Sequence, residues 1–528
     1  MRTDESMYGH FARTARRHPE ALALEVGGAA YRYAELEELS GRLAGILVAA
    51  SGGAPPRRVG LLASRTVTAY AGYLAVQRLG ATVVPLNPAF PTARNADIAE
   101  RAGLDLVLAE DDGSGAGLPV PVVPVDAGGP DPQLARATAP PVRPVPRDAL
   151  CYVLFTSGST GTPKGVPVRH RNVAAYLEHV IPRYGLGVGS RLSQTFDLTF
   201  DLSVFDLFGA WASGGTVVVP GPHDLLAPAR FVARERITHW FSVPSVVSLA
   251  GRLRGLTPGS MPDLRWSLFC GEPLTHRQAA AWRAAAPASV LENLYGPTEL
   301  TLSCTQYRLP ADGAGPAADP GETVPIGTPY PGLEHLVVDE AGRPAAEGEL
   351  CVRGVQRFPG YLDPDDNRER FVEFADGAAT VVREAAEPGE HLWYRTGDRV
   401  RTADGQLRHV GRLDQQVKVR GFRVELGEIE AELRRGPGVR DAVVVVTTGP
   451  GGDAALQAAC TGDDVDTDRL LAALRERLPA YMVPEAVTCL NAFPLNANGK
   501  TDRKDLQRTL TPSADETRAG AAQRGRTS

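Results

Sequence analysis

The sequence is poor in cysteine, and the six it has, Cys151, Cys270, Cys304, Cys351, Cys460 and Cys489, lie far apart with no C-x-x-C among them. That spacing offers neither a zinc site nor a disulfide frame, and it reads as the reduced thiols of a cytoplasmic protein. No run approaches the ~18 consecutive apolar residues that span a bilayer. Residues 1–24 are rich in charge and hold no apolar leader core, so neither an anchor nor a targeting segment is expected. An excess of one charge is missing too: a formal net charge of −6 and a pI near 6.0, with no dominant basic face, give no electrostatic reason to expect nucleic acid as a partner. Absent, finally, is the G-x-x-x-x-G-K-[ST] phosphate loop. Gly499-Lys500-Thr501 comes nearest, but Pro494 stands where its first glycine belongs.

Hydrophobic residues make up 43% of the chain and charged residues 22%, the balance of a soluble globular protein. At 528 residues it exceeds what one core supports, so several structural units are expected. Leu36, Leu39, Leu43 and Ile46 recur close to the spacing of one helix face, and residues 59–62, 67–79 and 81–86 read as strand, helix and strand. Strand alternating with helix predicts an α/β fold on a largely parallel sheet. Residues 86–91 end that unit in a rigid proline turn, and the Pro/Gly/Ala-rich stretch 113–147 reads as surface loops. Runs 216–220 and 238–244 predict strands of a second sheet, and 311–322 another loop. Near Gly411-Arg412-Leu413-Asp414 the pattern changes to a small α+β unit, with strands at 417–419 and 442–446 and helices at 425–433 and 468–478. The expected organisation is a large domain over 1–411, a small one over 412–510 and a polar, disordered tail over 511–528.

The apolar strand 150–155 runs directly into Thr156-Ser157-Gly158-Ser159-Thr160-Gly161-Thr162-Pro163-Lys164-Gly165. A loop of glycines and hydroxyls leaving a buried strand lets backbone N–H groups and Ser/Thr oxygens converge on a phosphate. Farther on, Leu294-Tyr295-Gly296-Pro297-Thr298-Glu299 combines an aromatic face, a tight turn, a hydroxyl and a carboxylate, the groups that stack a purine, position a phosphate and hold Mg²⁺. The first stretch resembles the signature of the adenylate-forming enzymes, the superfamily of acyl-CoA synthetases, nonribosomal peptide adenylation domains and luciferases. Tyr394-Arg395-Thr396-Gly397-Asp398, Gly411-Arg412-Leu413-Asp414, residues 421–430 and 478–484, and the closing Asn498-Gly499-Lys500-Thr501-Asp502-Arg503 match the peptide-synthetase branch in order, and the resemblance covers roughly residues 10–508.

The resemblance implies a large N-terminal domain of stacked sheets and helices with a small mobile C-terminal α+β lid. It implies ATP and Mg²⁺, bound by Thr156, Ser157, Gly158, Ser159, Thr160, Gly161, Lys164 and Thr298 at the phosphates, Asn293 and Tyr295 at the adenine, Asp398 and Arg412 at the ribose, Glu299 at the metal, and Gly271 and Gly296 elsewhere on the nucleotide. Lys500 becomes the catalytic lysine and Asp414 the hinge. A fixed ammonium aimed at the charge that builds on the α-phosphate oxygens can contribute ~3 to 4 kcal/mol. His409 departs from the usual Tyr or Phe and puts a minor nucleotide contact in doubt.

Phe196 to Asp206 carries three acids, and its last part resembles the family's F-D-x-S, which implies that Asp201 binds a substrate ammonium while Asp197 and Asp206 are structural. The implied pocket is Asp201, Leu202, Phe205, Phe241, Leu268, Cys270, Leu294, Leu302, Ser303 and Lys500. Apart from its two ionic ends it is apolar, so a charged substrate side chain would lie there unpaired. The set is similar to that of free-standing L-prolyl-AMP ligases. The expected reaction is adenylation of an amino acid, proline favoured, then thioester loading on a separate phosphopantetheinylated carrier protein, for no L-G-G-x-S carrier segment follows. A small branched α-amino acid or an apolar β-amino acid stays open. So do a CoA ligase for acids lacking an amine, which Asp201 disfavours, a luciferase-type oxidoreductase, and a nucleotide-binding protein without activity.

Overall fold

The computed structural model describes the chain except residues 1–4, 159–161, 312–321, 385, 415, 420, 449–453, 495–500 and 512–528. The expected disordered tail and most of the 311–322 loop lie outside the described residues. The rest forms two compact units. The first takes the described residues within Met1–Pro88, Asn95–Phe155 and Lys164–Leu413, the second those within Ala89–Arg94, Thr156–Pro163 and Asp414–Ser528.

The first unit is built on three sheets. Strands Val122–Val125, Leu106–Glu110, Arg58–Leu62, Thr82–Leu86, Leu150–Thr156 and Lys164–Arg169 lie side by side in that order, and the pairs from Val122–Val125 through Leu150–Thr156 are parallel. Their runs are apolar on both faces, as a sheet covered by helices on each side requires. Helix Val67–Arg78, which Thr66 caps at the amide of Ala69, is buried along nearly its whole length. Helix Tyr33–Ala50 buries Leu36, Leu43 and Ile46, three of the four positions that set its period. Residues 113–147 are less irregular than expected, because they contribute an edge strand and the short helix Pro132–Arg136, capped by Asp131.

A nine-stranded sheet runs in the order Thr328–Pro329, Thr305–Arg308, Val290–Tyr295, Trp266–Phe269, His239–Ser242, Arg191–Ser193, Thr216–Val218, Leu22–Val26, Ala29–Arg32. Its centre, from Val290–Tyr295 to Leu22–Val26, is parallel and its two ends are antiparallel. The third sheet is antiparallel throughout and uses Leu333–Val338, Glu347–Gly354, Trp393–Ala403, Phe371–Ala375, Ala378–Val382 and Gln406–Arg412. A largely parallel core was the expectation. Hairpin strands that face water on one side alternate polar and apolar residues, so they lack the continuous apolar runs by which the parallel strands are recognised.

The second unit holds the ribbon Gln416–Val419/Phe422–Glu425, helices Leu426–Arg434, Thr467–Arg477 and Arg503–Leu510, and a sheet of Val439–Thr448, Ala454–Gly462 and Val487–Cys489. Ile429 and Leu433, one turn apart on the first helix, pack with Val444, Leu456, Leu470 and Leu474 into its core. All six cysteines are free thiols. No helix among the described residues is long and apolar enough to cross a membrane.

Candidate active site

Four neighbouring parallel strands, Arg191–Ser193, His239–Ser242, Trp266–Phe269 and Val290–Tyr295, release the chain at one edge of the nine-stranded sheet. The strand order reverses there: the chain leaves Arg191–Ser193 for Thr216–Val218 on one side, then returns to His239–Ser242 on the other. Open α/β sheets bind ligands outside the carboxyl ends of their strands at such a reversal. Asp201, Leu202 and Phe205 follow the first of the four strands. Phe241 ends the second, Leu268, Cys270 and Gly271 the third, and Leu294, Leu302 and Ser303 lie at and just beyond the fourth.

The set is close to dry. Asp201 is 8% exposed and Leu202 6%, while Phe205, Phe241, Leu268, Cys270, Leu294, Leu302 and Ser303 are at 2% or below. Phe205 and Phe241 meet edge to face at 5.3 Å, the former opening a short π-helical turn, Phe205–Gly209. The three acids have three environments. Asp197 accepts from Ser64 Oγ at 2.9 Å and from Thr199 N and Oγ1 at 3.0 and 2.6 Å, the bonds of a capped turn. Asp206 is fully buried, neither of its oxygens meets a hydrogen-bond donor in bonding geometry, and burial pushes its carboxyl well above the usual range. Asp201 is the one of the three that the resemblance assigns to the pocket.

Thr301 and Leu302 both have positive φ, 58° and 68°, a conformation rare for residues with a Cβ and rarer for a β-branched one. The buried Gln356 holds them there. Its Nε2 donates to the carbonyls of Leu300, Thr301 and Ser303 at 3.2, 3.3 and 2.9 Å, and Thr301 Oγ1 donates to the Gln356 carbonyl at 2.7 Å. Gly296 lies beneath: a Cβ on it would stand 2.5 Å from Ser303 Cα, so the Y-G-P turn needs glycine to pack against this loop.

Strand Val290–Tyr295 also carries the residues expected at the nucleotide. Tyr295 Oη donates to Asp398 Oδ2 at 2.6 Å, while Arg412 Nη1 and His409 Nε2 reach Asp398 Oδ1 at 3.1 and 3.0 Å. Register accounts for the arginine, since Asp398 and Arg412 are directly opposed on antiparallel strands. Burial, reinforced by Asp398, holds the Tyr295 phenol well above its ordinary range. Asn293 Nδ2 donates to the carbonyls of Val324 and Pro325 at 3.3 and 2.9 Å, which leaves its buried Oδ1 as an acceptor with no partner. That oxygen fits an exocyclic amine such as that of adenine.

Glu299 is fully buried and accepts from Tyr361 Oη at 2.6 Å, and that phenol lies 3.2 Å from Tyr394 Oη. Thr298 is half-buried on the same short turn, Thr298–Leu300. Among the described residues no group of three or more His, Cys, Asp or Glu could hold a metal ion. One carboxylate nevertheless fits Mg²⁺, which keeps waters and substrate phosphates as most of its ligands. Lys164, 8% exposed, pairs with Asp366 at 2.9 Å.

Within the second unit, Ser157 Oγ donates to the Arg423 carbonyl at 2.8 Å and accepts from Glu425 N at 3.1 Å. Thr156 ends its strand, Gly158 is buried, and Asp414 accepts from Gln416 N at 3.1 Å. Ser159, Thr160, Gly161 and Lys500 lie outside the described residues. Three residues that bond to the expected site residues were not read from the sequence: Tyr330, Gln356 and Tyr361. None stands within a signature motif, and only the folded chain brings them there.

The chain matches the AMP-binding enzyme family over residues 11–362 and the AMP-binding enzyme C-terminal domain over residues 428–500. It is 38% identical over 530 aligned positions to phosphinothricin tripeptide synthetase PhsC of Streptomyces viridochromogenes, covering 97% of this chain and 46% of PhsC. The chain thus spans less than half the length of that relative. The crystal structure of IdnL7 is 40% identical at a TM-score of 0.68, covering 96% of this chain and 99% of IdnL7. That of the Vibrio cholerae adenylation domain AlmE in complex with glycyl-adenosine-5'-phosphate is 28% identical at a TM-score of 0.79, covering 96% and 97%.

Proposed function

The chain belongs to the AMP-binding enzyme family, and from that membership we propose that it activates an amino acid with ATP and passes the aminoacyl group to the phosphopantetheine thiol of a carrier protein. In the first step the substrate carboxylate oxygen attacks the α-phosphorus, the bond to pyrophosphate breaks, and an aminoacyl-AMP anhydride remains. The thiol then displaces AMP to leave a thioester.

The observation that carries this reading is the double use of one sheet edge. Strand Val290–Tyr295 carries Tyr295, which bonds Asp398, and Asn293, with its open oxygen, beside Leu294 of the apolar set, and Asp201 follows strand Arg191–Ser193 of the same sheet. The Asn293 oxygen accepts the adenine amine, Asp398 with Arg412 receives the ribose hydroxyls, and Asp201 pairs with the substrate ammonium. Lys164, Thr298 and the 156–161 loop take the phosphates. Glu299, held by Tyr361, would supply the carboxylate for Mg²⁺, which neutralises phosphate charge when bound. On this reading Lys500 is the lysine that answers the charge built on the α-phosphate oxygens, and Asp414 is the hinge used between the two steps.

The buried, apolar lining supports an uncharged side chain, since a charge would lie there unpaired. L-Proline is the acid that the pocket resemblance implies, with small branched α-amino acids and apolar β-amino acids as neighbours. A methylene more or less is worth only ~1 to 3 kcal/mol in such a pocket. The glycyl adenylate in the AlmE structure supports an aminoacyl adenylate as the chemical class. Amino-acid-dependent ATP–pyrophosphate exchange over proline, small α-amino acids, β-amino acids and aryl acids is the test. Exchange with an amine-bearing acid, lost on Asp201→Asn, is expected; exchange only with acids that lack an amine overturns the reading.

A further inference from the structure

Two of the six cysteines, distant in the sequence, are set opposite each other by the fold of the second unit. Strand Val487–Cys489 runs parallel to Ala454–Gly462, with Ala458 opposite Val487, Ala459 opposite Thr488 and Cys460 opposite Cys489. Backbone bonds frame the register on both sides: Ala458 N donates to the Ala486 carbonyl at 3.0 Å and Leu490 N to the Cys460 carbonyl at 2.8 Å. Val487 packs with Ala458 and Cys460 in one core cluster, and Cys489, two residues on, shares the face of Val487. Both cysteines therefore point to the same side of the sheet. Neighbouring strands lie about 4.8 Å apart, inside the roughly 4.4–6.8 Å over which a disulfide joins two Cα atoms.

The two thiols differ in access. Cys460 is fully buried and Cys489 is exposed. Burial, with the neighbouring Cys489 adding to it, pushes the Cys460 thiol up to about 11, so it keeps its proton at neutral pH. Cys151, Cys270, Cys304 and Cys351 are buried as well, which leaves Cys489 as the thiol that an oxidant in solution meets. An exposed thiol backed by a second one is the arrangement that makes oxidation reversible.

We propose that Cys489 and Cys460 form a reversible oxidation site for hydroperoxides, with Cys489 the entry thiol and Cys460 the resolving one. The Cys489 sulfur attacks a peroxide oxygen, the O–O bond breaks, and one oxygen leaves as water while the sulfur, two electrons poorer, becomes a sulfenic acid. The Cys460 sulfur then attacks that of Cys489, the S–O bond breaks, and the hydroxyl departs as water with the Cys460 proton. Two thiols and one hydrogen peroxide thus give one disulfide and two waters, and a dithiol reductant restores the pair. The bond fastens an edge strand whose one pairing among the described residues is to Ala454–Gly462. The site stands apart from the adenylation proposed above.

The test is hydrogen peroxide titration of the full chain, as wild type, Cys460→Ala and Cys489→Ser, followed by thiol blocking, digestion and mass spectrometry. In the wild type, peptides joined through Cys460 and Cys489 are expected, lighter than their reduced parts by the two hydrogens lost, and dithiothreitol should return both thiols. Cys460→Ala removes the resolving thiol, so capture of the Cys489 sulfenic acid by dimedone should rise about tenfold over the wild type at equal peroxide. Cys489→Ser should leave Cys460 reduced. Should Cys460→Ala fail to fold, Cys489→Ser, altered at an exposed position, carries the test with the wild type. A wild type that goes to the Cys489 sulfinic or sulfonic acid with Cys460 still a thiol overturns the proposal. So does a disulfide through any other pair, or six intact thiols at a peroxide dose that oxidises added glutathione. Each of these outcomes leaves the adenylation reading where it was, since none measures exchange.

Discussion

Gln356 Nε2 donates to the Ser303 carbonyl at 2.9 Å, and with its bonds to the carbonyls of Leu300 and Thr301 it fixes a loop whose Thr301 and Leu302 sit at positive φ. On the proposed reading Leu302 and Ser303 line the pocket, and Gln356, which touches their loop from outside, is a positioning residue for it.

Gln356→Leu keeps the volume and removes the donors. Three buried carbonyls then lose a partner, and the strained loop, which costs roughly 1 to 3 kcal/mol per residue held at such angles, relaxes. The KM for the amino acid is expected to rise by about tenfold with the KM for ATP unchanged, and urea denaturation to show a loss of about 1 to 3 kcal/mol. A rise in the ATP KM of equal size would show that the loop does not act on the pocket.

Asp398 gathers Tyr295, His409 and Arg412 on one carboxylate. Asp398→Asn preserves the shape, but removes the charge opposite Arg412 and replaces one acceptor by a donor that faces other donors. The KM for ATP is expected to rise by more than tenfold, with selectivity among amino acids unaltered. A change in that selectivity would place Asp398 at the acid rather than at the nucleotide.

The parallel strands were legible because they are buried on both faces. Residues 59–62, 81–86 and 150–155 read as nearly uninterrupted apolar runs, and the loops that follow such strands carry the motifs. The antiparallel strands of 333–412 were not, since half their side chains meet water and their pairing is set by partners far along the chain, as with Asp398 and Arg412. The residues proposed for the pocket were read by position within motifs, and the fold sets them at and after neighbouring strand ends of one sheet. Tyr330 was not: it stands outside every motif, and only the tertiary fold brings its hydroxyl to 2.7 Å from Ser303 Oγ. Gln356 was hidden for the same reason, since a glutamine after a strand is usually solvated.

Lys500 follows a motif that places a lysine at the end of the small domain. If it stabilises the transition state rather than the bound nucleotide, Lys500→Ala should slow adenylation by about 10²- to 10³-fold. ATP affinity, read by equilibrium binding, should stay within about threefold. Unchanged turnover would remove the lysine from the chemistry.

His239 offers a pH test of the sheet beneath the site. Its ring is buried in strand His239–Ser242, with Nε2 3.0 Å from the Tyr184 carbonyl and Nδ1 2.8 Å from Thr238 Oγ1. A carbonyl only accepts, so Nε2 carries the proton and Nδ1 accepts from the threonine hydroxyl. Burial, with a smaller repulsion from Arg265, lowers its pKa from 6.5 to about 4. As pH falls from 6.5 to 4 the unfolded chain therefore takes up a proton that the native ring refuses, and stability declines. Above 6.5 the ring's contribution is complete; below 4 both states are protonated and the loss stops growing. At ~1.4 kcal/mol per unit the full loss is about 3 kcal/mol. His239→Gln retains an amide donor and acceptor without titrating. Urea denaturation from pH 7 to 4.5 should show the wild type losing stability more steeply than this variant, with the other carboxylates contributing equally to both. Parallel curves over that range would mean that His239 is protonated in the native sheet.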